Sequence, residues 1–104
     1  DVLLRMGQAF LENNDMQDAQ SVQTKLFGLD ETKGDYLKSM IDLQTATDKV
    51  KDSQKKLDEA NKIDNKDKSK GDKVKVAKSN LDSAKKDEKL AKDKVDSLKN
   101  KIGA

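Results

Sequence analysis

The chain has 104 residues, of which 33% are hydrophobic, 3% aromatic and 40% charged, a mixture that excludes a thick globular core and more than one domain. Its 22 basic and 20 acidic residues leave a net charge of only +2. The two signs are interspersed and aromatic residues are scarce, which argues against a basic nucleic-acid face or a platform for stacking bases. With no His and no Cys, the usual general base, thiolate nucleophile and transition-metal ligands are missing, so we expect no enzymatic activity, no cofactor and no metal site.

Interspersed charges and the absence of proline favour long solvated helices over disorder. Apolar runs such as Val2 to Leu4 fall far short of the roughly 20 residues that span a bilayer, so no transmembrane segment is expected. The sequence begins at Asp1 without Met or a secretory leader pattern, as expected for a piece of a longer or processed protein.

Taken in chain order, residues 2–11 place Leu3, Met6 and Phe10, with Val2 and Ala9 nearby, on one helical side. Together with Leu11 they form an apolar group that is either internal core or a candidate interaction surface between copies. Gly7 within it reads as a tolerated helical glycine, costing up to about 1 kcal/mol, more than as a site of close helix approach. Asn13, Asn14 and Asp15 offer capping side chains for a second helix starting near Asp15. Met16, Ala19, Val22, Gln23 and Leu26 continue that helix at spacings of three and four, and Gly28 is expected to stop it in the left-handed conformation. Asp30 is a cap candidate for a third helix, and Gly34 a weak spot near its start.

From residue 35 to residue 63 a seven-residue pattern runs through Tyr36, Leu43, Val50 and Leu57, with the small residues Ser39, Ala46, Ser53 and Ala60 three positions later. Leu37, Met40 and Ile41 widen this stripe where the short N-terminal helices can dock. Residues 64–73 contain no apolar side chain and include Gly71, and are read as a turn. Asp64, Asn65 and Asp67 resemble a fragment of a calcium loop but lack its twelve-residue spacing and terminal Glu. The pattern resumes at Val74, Leu81, Glu88, Val95 and Ile102, with Ala77, Ala84, Ala91 and Leu98 three residues after the first four. Lys85 and Lys92, three and four residues from Glu88, lie within its reach on the same helix, and Lys89 is adjacent in sequence.

Two matched heptad segments joined by a short polar link pack antiparallel within one chain, because a parallel return needs a long crossover. Facing residues then have numbers with a constant total. A total of 141 sets Leu57 against Ala84, Ala60 against Leu81, Val50 against Ala91, Ala46 against Val95 and Ser39 against Ile102, bulky opposite small in each, with Leu43 against Leu98 a bulky layer and Ser53 against Glu88 a polar one. A total of 134 also opposes bulky to small, and the register stays open between the two. Each arm of about 27 residues would be roughly 40 Å long.

The expected fold is therefore all-α: two short helices in residues 1–34 packed at the base of a long antiparallel two-helix coiled-coil hairpin in residues 35–104. Its seam would hold Tyr36, Leu43, Val50, Leu57, Leu81, Ala84, Ala91, Val95, Leu98 and Ile102.

The segments Ala46-Thr47-Asp48-Lys49-Val50, Lys55-Lys56-Leu57-Asp58-Glu59-Ala60 and Ser83-Ala84-Lys85-Lys86 resemble the coiled-coil region of type III secretion translocators. They are also similar to the receptor-binding hairpin of nuclease colicins. Either resemblance implies a secreted or cell-surface bacterial rod that engages a membrane-associated partner or a receptor, and no site residue transfers. The tail from Lys94 to Lys101 resembles desiccation-type helical proteins in composition, but those use an eleven-residue period and this chain a period of seven.

The functional expectation is a non-catalytic structural or protein-protein interaction module. A self-assembling helical subunit of an extracellular filament, phage or shell structure is one alternative, and an intracellular helical chaperone or regulator is another. The partner is a protein or a second copy of the chain.

Overall fold

The computed structural model describes residues 2–103, and among them it contains four α-helices and no strand: α1 (Val2–Glu12), α2 (Met16–Leu29), α3 (Glu31–Asn61) and α4 (Lys70–Ile102). The chain is all-α, as its periodicity implied.

Each joint between helices is set by local hydrogen bonding. At the end of α1, Asn14 takes the left-handed conformation (φ 60°), which Asn tolerates better than most residues. Asn14 N then donates to the Leu11 carbonyl (3.0 Å) and Asp15 N to the Phe10 carbonyl (2.8 Å), the paired closure of a Schellman motif. Asp15 also opens α2, its carboxylate accepting from Asp18 N at 3.2 Å.

One residue, Asp30, separates α2 from α3. Its N–H closes α2 on the Leu26 carbonyl (2.8 Å), its carbonyl accepts from Gly34 N (2.9 Å), and its carboxylate accepts from Lys33 N (3.2 Å). The sequence-based stop at Gly28 is corrected: α2 runs through Gly28 to Leu29, and Asp30 ends it in an extended conformation (φ −151°, ψ 101°). A side chain able to cap the next helix makes the left-handed glycine unnecessary.

The link between α3 and α4 covers residues 62–69, shorter than the polar stretch suggested. Lys70, Gly71, Asp72 and Lys73 form the first turn of α4. Asp67 organises this start by accepting from both the backbone N (2.8 Å) and Oγ (2.7 Å) of Ser69, whose carbonyl accepts from Lys73 N at 3.0 Å.

The residues gather into two compact units, one of Asp1–Thr45 with Leu90–Ala104 and one of Ala46–Lys89. The division falls within α3 and α4. In the first unit Leu4 and Leu11 of α1, Ala19, Val22 and Leu26 of α2, and Tyr36, Leu37 and Ile41 of α3 form the core, with Val95, Leu98 and Ile102 of α4 packed against it. In the second, Ser53, Leu57 and Ala60 of α3 and Leu81 and Ala84 of α4 are buried. Burying a large aliphatic side chain contributes about 1.5–3 kcal/mol. The first unit buries Leu4, Leu11, Leu26, Leu37 and Ile41 and the second only Leu57 and Leu81, so the first is held more strongly.

Candidate interaction surfaces

The heptad positions of α3 and α4 are all removed from full exposure. Along α4 from Val74 onward, the residues removed from full exposure are Val74, Ala77, Leu81, Ala84, Glu88, Ala91, Val95, Leu98 and Ile102, at alternating steps of three and four. On α3, Tyr36, Ser39, Ser53, Leu57 and Ala60 are buried, and Leu43, Ala46 and Val50 are half-buried. Ser39 is 1% exposed and its hydroxyl donates to the Tyr36 carbonyl at 2.6 Å, so the burial leaves that donor with a partner.

The apolar face of α1 is rotated from its expected setting. Leu4, Gly7 and Leu11 are buried, Leu3 and Phe10 pack beside the core as half-buried residues, and Met6 and Val2 are exposed at 43% and 75%. The physical reason is Gly7. A Cβ placed there would stand 2.8 Å from Leu37 Cδ1 and 3.1 Å from Cγ, and closer still to Cδ2. Leu37 is fully buried, so the glycine marks close helix approach, correcting its reading as merely tolerated, and it turns the 4/7/11 face of α1 inward. Of the residues expected to form the interaction surface, Leu11 belongs to the core, Leu3 and Phe10 border it, and Met6 keeps an open face.

Gly34 has a similar role against α2. It is buried, and a Cβ would lie 2.6 Å from Phe27 Cβ and 2.7 Å from Phe27 N, with Phe27 Cα closer. Gln23 Nε2 donates to the Gly34 carbonyl at 3.2 Å. The expected weak spot is therefore a point of close contact between α2 and α3. Leu37, Met40 and Ile41 do receive the short helices: Leu37 and Ile41 lie in the core, and the Met40 sulfur accepts from Gln8 Nε2 at 3.7 Å.

In the second unit an open groove of about 840 Å³ lies along one side of the α3 and α4 segments. Ala60, Ile63, Val76 and Ala77 contribute its apolar surface, and Lys49, Asp52, Lys56 and Glu59 border it on α3. Val76 is 59% exposed. Val76, apolar yet lying between the heptad positions 74 and 77, is the sequence signal for this groove.

Two carboxylates are electrostatically perturbed, both at fully exposed helix starts. The Asp15 carboxyl, through a side-chain hydrogen bond and then its like charge, holds Asp18 above the usual carboxylate range. The Ser69 hydroxyl and backbone N–H hold Asp67 below it. Among the described residues no three His, Cys, Asp or Glu side chains gather in a way that could hold a metal ion, and no helix is long and apolar enough to cross a membrane. No protein-family model, curated protein or solved structure matches the chain.

Proposed function

We propose that the chain is a non-catalytic protein-interaction module whose working part is an antiparallel coiled-coil pairing of α3 with α4, as in exported bacterial rods. The observation that carries this reading is the unbroken three-and-four spacing of shielded residues from Val74 to Ile102, the signature of a seam held against one partner helix.

The arrangement supports the register with a total of 134. Its facing pairs each fall within one unit: Tyr36 with Leu98, Ser39 with Val95 and Leu43 with Ala91 in the first, and Val50 with Ala84, Ser53 with Leu81 and Leu57 with Ala77 in the second. A total of 141 matches Ala46 with Val95 and Val50 with Ala91, residues assigned to different units. Its midpoint also falls between Lys70 and Gly71, inside α4, whereas the midpoint for 134 is Asp67 in the link. Small residues opposite large ones allow the axes to approach the low end of the usual 8–10 Å range.

The chain has no native cysteine, so introduced pairs test this directly. Val50→Cys with Ala84→Cys closes an intrachain disulfide on mild oxidation, and Leu57→Cys with Ala84→Cys does not. Closure of neither pair rejects the hairpin, and closure of the second alone selects the other register. The interaction role is tested by photo-crosslinking from exposed positions of α4 in the producing cells. A discrete protein adduct, lost when Leu81→Asp opens the seam, is the expected result, and the absence of any adduct rejects the reading.

A further inference from the structure

We infer that the groove of the second unit is a self-association surface, taken by the same groove of a second copy in a twofold antiparallel pair. This rests on the hairpin reading of that unit and names its partner. Two helices alone bury one stripe each, and here Ile63 is only half-buried and Val76 stays 59% exposed. Face-to-face pairing of two grooves makes a four-helix arrangement whose second core covers Val76.

Charge order along the α3 border selects a second copy over an unrelated helix. From residue 49 to residue 59 the border reads Lys49, Asp52, Lys56, Glu59, with alternating sign and all four exposed. A twofold axis beside residue 54 sets Lys49 against the partner's Glu59 and Asp52 against the partner's Lys56. Both matches share one residue-number total, as antiparallel pairing requires, and both join opposite charges. An isologous interface demands this self-complementarity, and it also disfavours the parallel alignment, in which like charges meet. The bridge that Lys56 makes to Asp52 within the chain, at 3.3 Å, is solvent-exposed and inexpensive to exchange for its intermolecular counterpart.

Sedimentation equilibrium of the full chain tests the inference. The dimer fraction is expected to rise with concentration, to fall as salt is raised, and to be lost in Val76→Glu. The acidic variant Lys49→Glu/Lys56→Glu and the basic variant Asp52→Lys/Glu59→Lys each stay monomeric alone, and together form a one-to-one heterodimer. A wild-type chain that is monomeric at every concentration overturns the proposal. So does a dimer that survives Val76→Glu and the acidic substitutions undiminished, since its contact must then lie elsewhere. The Val50–Ala84 cysteine pair, introduced into each variant, reports the hairpin within one chain, so loss of pairing between copies is distinguished from loss of the hairpin itself.

Discussion

Gly7 of α1 lies against Leu37 of α3 so closely that the space a Cβ would need is already filled by the leucine methyl groups, Cδ2 standing nearest and Cδ1 at 2.8 Å. Leu37 is fully buried and has no open space into which to yield. The contact fixes which face of α1 turns inward and explains why a residue poor in helix propensity stands in the middle of that helix.

Gly7→Ala is accordingly expected to destabilise the protein. Helix propensity returns up to about 1 kcal/mol, but overpacking costs about 1–3 kcal/mol, so the melting temperature read by circular dichroism should fall. Gly34→Ala should be worse, beyond about 3 kcal/mol, because the obstruction there includes the backbone of Phe27. Gly28→Ala meets nothing within 4 Å and should raise stability by roughly 0.5–1 kcal/mol.

Leu81 and Leu90 belong to the same helix and differ in exposure, 5% against 61%. Leu81→Ala is expected to cost about 2–5 kcal/mol and Leu90→Ala no more than about 0.5 kcal/mol. Comparable losses in urea denaturation at the two positions would contradict the assignment of Leu81 to a packed face.

The helix joints depend on two aspartates that end one helix and start the next. Asp15→Ala and Asp30→Ala should each cost about 0.5–2 kcal/mol through the lost N-cap acceptor. Amide hydrogen exchange is expected to quicken first at Asp18 and Lys33, the residues whose N–H groups those carboxylates receive.

Asp67 should titrate below the ordinary carboxylate value and Asp18 above it when followed by carbon-detected NMR. For Asp67 the folded pKa is depressed, so its contribution to stability is present above the unfolded value of about 3.9 and disappears as pH falls through the folded value. Asp67→Ala should remove that part of the acid dependence. For Asp18 the sign is opposite: the raised folded value favours the protonated form, and the cost relative to the unfolded chain is incurred as pH rises through that range. An Asp67 resonance titrating at or above the ordinary value would refute the Ser69 hydrogen bonds as its cause.

Much of the helix content was legible because it depends on local periodicity and local caps. The positions Leu43, Val50, Leu57, Val74, Leu81, Val95 and Ile102 could be identified as shielded from spacing alone, since a helix brings residues three and four apart to one face in any surroundings. Asp15 and Asp30 were recognisable for the same reason, as a cap satisfies backbone groups only a few residues away. Gly28 and Gly71 misled because glycine marks a chain stop only when no neighbouring side chain caps the end. Here Asp30 does so after Gly28, and the Asp67 and Ser69 pair lets α4 begin before Gly71.

The sequence by itself determined that the chain is helical, where its long apolar stripes run, and that its surface carries both charges in near balance, because these follow from residue type and spacing. Only the tertiary structure decided that Gly7 and Gly34 are contact points, that Leu4 replaces Met6 on the inner face of α1, and that Val76 borders an open groove. Each of these depends on what stands opposite a residue across space, and a one-dimensional pattern repeating every seven positions does not encode which neighbour fills that place.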